Sequence, residues 1–145
     1  MSVKEKLLIS ACLFGVNVKY NGGNNKLKSL SKLSKKYKLI PFCPEVEGGL
    51  PTPRLPSEIV SFKPIKIVNN KNQNVTNEFL KGASKALALC RKLNIKKALL
   101  KENSPSCGSN YIYDGSFSKV LKKAQGITSS LLSQNGIKIF NENNL

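Results

Sequence analysis

The chain has 145 residues, 40% of them hydrophobic and 22% charged, the balance of one folded domain with no room for separate cofactor and substrate domains. Lys and Arg outnumber Asp and Glu by 24 to 8, a net charge of +16, yet only Arg54 and Arg91 are arginines, so the charge describes a diffuse positive field more than a nucleic-acid reader. Histidine is absent, which excludes Ser-His-Asp triads, Cys-His dyads and two-histidine metal sites.

Along the chain, Met1–Ser10 has a basic flank, but its apolar run is too short for a signal-peptide core. No stretch approaches the roughly 18 apolar residues of a membrane span, so a cytoplasmic protein is expected. Lys6–Ala11 is predicted as a strand that runs into a glycine- and asparagine-rich loop. From Asn24 onward, Leu27, Leu30, Leu33 and Tyr37 form one face of an amphipathic helix, capped by Asn24 or Asn25. Lys38–Phe42 is a second strand, stopping at Cys43-Pro44-Glu45, and the Pro- and Gly-rich residues 48–56 are loop. Ile59–Phe62 and Ile65–Val68 form a hairpin or an excursion. Thr76 opens a long helix with Phe79, Ala83, Leu87 and Cys90 on its buried face, ending near Leu93-Asn94. Lys97–Lys101 is a third strand, followed by a loop-rich segment through Gly115. A helix over Thr128–Gln134 and a strand over Ile137–Phe140 close the alternation.

Strands alternating with helices at this spacing predict a single α/β domain over residues 1–145, with a mostly parallel sheet and helices on both faces in a Rossmann-like, three-layer arrangement. In such sheets the active site lies beyond the carboxyl ends of the strands. Cys12, Cys43 and Cys107 each follow a strand, so three cysteines distant in sequence are delivered to one rim. Cys90, on the helical stripe, is a buried hydrophobe.

Cytosolic thiols stay reduced, so the three rim cysteines point to a metal before a disulfide. A structural zinc would want a fourth ligand and CxxC pairs, which are missing. A 4Fe-4S cluster on three cysteines leaves one iron open as a Lewis acid. A catalytic zinc site remains the alternative on spacing alone. Glu45 shares the rim as metal ligand, acid or base, or simple hydrogen-bond acceptor. Ser104 and Ser106 flank Pro105, with turn-shaping the simpler role for Ser106. Arg54 suits an anionic substrate group, or a pairing with Glu58; Glu47, Lys101, Glu102 and Asp114 are further polar candidates.

Four blocks carry a resemblance: residues 9–15 (Ile-Ser-Ala-Cys-Leu-Phe-Gly), 43–56 (Cys-Pro-Glu-Val-Glu-Gly-Gly-Leu through Pro53-Arg54-Leu55-Pro56), 104–108 (Ser-Pro-Ser-Cys-Gly) and 113–117 (Tyr-Asp-Gly-Ser-Phe). In this order they resemble the thiouracil desulfidase (TudS-like) family over nearly the whole chain; the lysine- and asparagine-rich connectors depart from it. The resemblance implies a 4Fe-4S enzyme that turns 2- or 4-thiouracil, or its nucleotide, into uracil and hydrosulfide without net redox change. It implies Cys12, Cys43 and Cys107 as cluster ligands, Glu45 as the acid or base and Ser104 as the hydroxyl assisting proton transfer. Arg54 and Ser106 are placed at the substrate. The expected partner is a small thiolated pyrimidine, its nucleotide or a tRNA, and the expected state is a monomer. A desulfidase acting on 4-thiouridine in tRNA and a non-catalytic domain stapled by zinc or a cluster are the rival readings.

Overall fold

The computed structural model describes residues 3–144; Met1, Ser2 and Leu145, which belong to the N-terminal reading and to the bounds of the expected domain, lie outside them. Among the described residues no helix is long and apolar enough to cross a membrane. Strands β1 (Glu5–Ser10), β2 (Tyr37–Phe42), β5 (Lys97–Leu99) and β8 (Lys138–Phe140) form one parallel sheet in the order β2-β1-β5-β8. Each connection from one of its strands to the next is a crossover, and the order reverses direction between β1 and β5.

The two-residue period of β1 divides the core. Leu7 and Ile9 pack with Leu13, Leu30 and Leu33 on one side, where helix α1 (Leu30–Lys36) lies. Leu8 packs with Ala86, Leu87, Cys90 and Leu132 on the other, under α3 (Thr76–Leu93) and α4 (Ile127–Gln134). α3 ends as expected at Asn94, whose left-handed backbone (φ 58°) caps the helix. Of the two arrangements open for residues 59–68, the hairpin forms: β3 (Ser57–Phe62) pairs antiparallel with β4 (Ile65–Asn69).

Three expectations are corrected. The first helix does not begin at Asn24 and is not capped by Asn24 or Asn25. The amides of Asn25 and Leu27 donate to the Cys12 and Leu13 carbonyls, so residues 24–29 lie along the loop after β1, and Tyr37 opens β2. The four predicted apolar residues still share one cluster. Second, the segment between the second strand and the loop over 48–56, to which no element was assigned, forms a one-turn helix, α2 (Pro44–Glu47), with Cys43 at its N-cap and Pro44 in the first turn, where a missing N–H does no harm. Third, the loop-rich stretch after Cys107 contains a small hairpin, β6 (Tyr111–Tyr113) with β7 (Leu121–Lys123). Each strand has three residues and Ile112 is the sole buried one, too short for a periodicity to register.

Candidate metal centre and acid–base chain

Beyond the carboxyl ends of β1, β2 and β5 opens a cavity of about 600 Å3. It sits where the strand order reverses, the place at which open α/β sheets bind their ligands. Cys12 enters it from the turn after β1, Cys43 from the end of β2 and Cys107 from the loop after β5. All three are free thiols; Cys107 is buried, the other two half-buried. Cys90 does not line the cavity and sits in the core under α3, as expected.

Burial dominates the electrostatics of the three thiols. It pushes Cys107 up to about 12, a rise partly offset by the Ser10 and Ser106 hydroxyls. It also raises Cys12, against the hydrogen bond from Asn25, and Cys43, against the backbone N–H of Val46. Repulsion between ionised forms adds to this, Cys43 raising Cys12, and Cys43 and Cys12 raising Cys107. Three neutral thiols are therefore the resting state of this chain by itself, and a cation that displaces their protons is what would let them ionise together.

Among the described residues, no three His, Cys, Asp or Glu side chains converge closely enough to hold one metal ion. A single zinc draws each thiolate to about 2.3 Å of one point. A cluster places its ligands on different irons, and so keeps them apart. Three soft donors spread around one cavity fit the second kind of group.

Glu45 projects from α2 beside Cys43, and both its oxygens are engaged. Arg54 Nε donates to Oε1 at 3.0 Å and Ser106 Oγ donates to Oε2 at 2.8 Å. Ser104 Oγ lies 3.1 Å from Ser106 Oγ and accepts the Cys107 N–H at 2.7 Å. With that lone pair taken, the Ser104 proton is free to point at Ser106, whose own proton points at Glu45. A chain Ser104–Ser106–Glu45 thus runs beside Cys107, with Ser106 Oγ also 3.6 Å from the Cys107 sulfur.

Arg54 pairs with Glu45 and not with Glu58, which instead accepts the Gly115 and Phe117 N–H groups. The guanidinium further donates to the carbonyls of Val18 (2.9 Å) and Pro51 (3.3 Å) and to Thr52 Oγ1. Its side chain is 7% exposed. An arginine so occupied clamps the carboxylate more readily than it greets an incoming anion.

Ser106 does more than shape a turn, since its hydroxyl donates to Glu45 Oε2. Glu102 is a scaffold: its Oε1 accepts the N–H groups of Asn103, Ser109, Asn110 and Tyr111, and Oε2 accepts from Asn141 Nδ2. These bonds hold the loop that carries Ser104, Ser106 and Cys107. Burial pushes Glu102 up, but the four N–H groups outweigh it and hold the carboxyl below its ordinary 4.5. Lys101 is tied to Glu142 at 2.7 Å, and Asp114 accepts from Ser116 within its own turn. Glu47 is off the cavity wall.

Sequence reasoning missed Asn25, whose side chain reaches Cys12, and Gly82, a glycine in the middle of α3. Gly82 had a legible signal, because a mid-helix glycine marks a close approach.

A family model described as 2-thiouracil desulfurase matches residues 7–144. The chain belongs to the 2-thiouracil desulfurase family. A solved relative of that chemistry, the 4Fe-4S-dependent thiouracil desulfidase TudS, superimposes with a TM-score of 0.90 at 44% identity, over 98% of this chain and 93% of that one. The chain is also 39% identical to YbbK of Bacillus subtilis (strain 168), an uncharacterized protein, over 96% of its own length and 97% of YbbK. These matches run through β1, β2, β5 and β8, so the strand ends that carry the three cysteines belong to the family's framework.

Proposed function

We propose that this protein hydrolyses the carbon–sulfur bond of a thiolated uracil, giving uracil and hydrosulfide, with a 4Fe-4S cluster on Cys12, Cys43 and Cys107 and one iron left open. The observation that carries the reading is that three thiols from three strand ends line the same cavity as the Arg54–Glu45–Ser106–Ser104 chain. The same reading takes residues 1–145 as one Rossmann-like, three-layer domain.

When bound, such a cluster supplies a Lewis-acidic iron that polarises the thiocarbonyl and eases the departure of sulfur. The rest falls to the chain. One water is consumed, and its oxygen becomes the carbonyl oxygen of uracil. Glu45 takes a proton from that water and returns it towards the departing sulfur; Arg54 holds the carboxylate in place throughout. Ser106 donates to the oxygen of Glu45 that Arg54 does not occupy. Ser104, one hydroxyl behind, lets that proton be passed on or replaced. The buried Cys107 loop keeps one wall of the site from bulk water.

Protein purified without oxygen should carry about four irons and four acid-labile sulfides per chain and release sulfide from thiouracil. Cys12→Ala, Cys43→Ala or Cys107→Ala should lose the brown colour, and Cys90→Ala should keep it. One zinc per chain, no visible absorbance and no sulfide release would overturn the proposal in favour of a metal staple.

Lys19 and Lys119 on the cavity wall favour a thiouracil that carries a phosphate. Turnover of 4-thiouracil, 4-thio-UMP and thiolated transfer RNA, compared at two salt concentrations, tests this. The nucleotide should be preferred at low salt, and equal rates for base and nucleotide would remove the lysines from recognition.

A further inference from the structure

The three rim thiols do not receive hydrogen bonds from the same kind of donor. Cys43 faces the backbone N–H groups of Glu45 and Val46, which any side chain at those positions would supply. Cys107 has the hydroxyls of Ser10 and Ser106 beside it. Cys12 sits in the turn after β1, and its side-chain partner is a single amide, Asn25 Nδ2, 3.7 Å from the sulfur. The backbone of the same residue is fixed to the same target, because Asn25 N–H donates to the Cys12 carbonyl at 2.9 Å. Leu27 N–H then donates to the Leu13 carbonyl at 3.0 Å, and the Leu27 side chain is anchored in the cluster under α1. Asn25 is thus held by bonds on both sides of its Cα, with its amide on the cavity wall. Chain that would otherwise have extended α1 is given over to this arrangement.

We infer that Asn25 is a positioning residue for the cluster, an amide that orients the Cys12 sulfur and draws charge from it. The inference rests on the proposal that Cys12 is a cluster ligand. An N–H donor to a ligating thiolate stabilises the more negatively charged, reduced state of an iron–sulfur group and so raises its reduction potential. Removing it leaves more charge on the sulfur, lowers the potential and makes the oxidised, fragile states easier to reach. Removing an outer-shell partner of a metal ligand commonly weakens retention about 10- to 100-fold. For a reaction without net electron transfer, the value of such a residue is a cluster that keeps its charge state and its irons while sulfur comes and goes.

The test uses protein loaded with its cluster under anaerobic conditions. Asn25→Ala removes the donor. Asn25→Asp keeps the shape and the backbone bonds but puts a carboxylate where the donor was. Asn24→Ala, whose side chain bonds only Asn17 and the Lys26 amide, is the control. Redox titration followed by electron paramagnetic resonance should show a lower midpoint potential in both Asn25 variants, lower in Asp than in Ala. Bleaching of the visible absorbance in air should be about tenfold faster or more. Asn25→Gln, which retains the amide on a longer arm, should recover part of the shift. If Asn25→Ala fails to fold or to load, Asn25→Asp carries the comparison. Potentials and bleaching rates equal to those of the parent in loaded Asn25→Asp would overturn the inference while leaving the cluster in place. A parent that binds no iron would overturn the cluster assignment and this inference with it.

Discussion

Gly82→Ala is the sharpest test of how the site is held, because two effects of opposite sign act on one methyl group. In the interior of an 18-residue helix, alanine is preferred to glycine by about 0.8 to 1 kcal/mol. Against this stands the packing of α2 on α3. A Cβ built at Gly82 stands 2.6 Å from the Pro44 carbonyl carbon and closer still to its oxygen, whereas carbon–carbon contacts open at about 3.5 Å. A Cβ built at Gly48 would meet α3 in the same way, 2.9 Å from the Glu78 carbonyl carbon. Neither neighbour is a flexible side-chain tip, so α2 must retreat by roughly 1 Å, and overpacking of this kind costs about 1 to 3 kcal/mol. The net expectation is a protein destabilised by about 1 kcal/mol, with its damage concentrated in activity. Pro44 lies between Cys43 and Glu45, and a shift of about 1 Å in a reacting group costs on the order of 100-fold in rate. Urea melts and sulfide release from thiouracil, each read beside the exposed-site control Ser84→Ala, check both halves. A Gly82→Ala protein that is more stable and fully active would show that α2 is not seated on α3 by glycine contact.

Other substitutions probe the remaining supports. Arg54→Met should leave the visible absorbance intact yet slow turnover about 10-fold or more, and Arg54→Lys should recover little, since a lysine lacks the fork that joins Glu45 to the Val18 and Pro51 carbonyls. Full activity in Arg54→Met would remove the clamp from the mechanism. Glu102→Gln should cost about 3 kcal/mol in urea melts, because it weakens four bonds to backbone N–H groups. The pH dependence has a definite sign. The folded carboxyl lies below 4.5, so its contribution is complete above the unfolded value and fades as pH falls through the folded one. The parent should therefore lose stability below about pH 4.5 more steeply than Glu102→Gln, and parallel curves would contradict the role given to Glu102. Alkylation of metal-free protein at pH 8, mapped by mass spectrometry, should reach Cys12 and Cys43 well before Cys90, whose thiol burial raises to about 11. Early labelling of Cys90 would contradict its burial in the core.

What could be read from residues alone follows the range over which each signal acts. The parallel sheet is written in local apolar runs, each bounded by Gly, Asn or Pro, and the carboxyl-end rule then carries Cys12, Cys43 and Cys107 to one cavity without any knowledge of contacts. The stripe Phe79, Ala83, Leu87 and Cys90 predicted α3 because 3.6-residue periodicity survives over 18 residues. The same periodicity misplaced the start of α1. Leu27 does point into that cluster, but a loop can aim a leucine inward as well as a helix can, and hydrogen bonds to Cys12 and Leu13 decided between them. Partner choice was the least legible property. Arg54 had three carboxylates within nine residues, Glu45, Glu47 and Glu58, and nothing in spacing ranks them; the fold does, by leaving Glu47 off the cavity wall and engaging Glu58 with the amides of Gly115 and Phe117. Ser106 meets Glu45 across 61 positions of chain, through a loop whose shape depends on Glu102 and on Asn141 beyond the last strand. Residue types at strand ends therefore announce what chemistry a rim can hold. Which partners Glu45 meets is settled by contacts made across the fold, and Arg54, Ser106 and Glu102 are where substitutions should separate cluster binding from turnover.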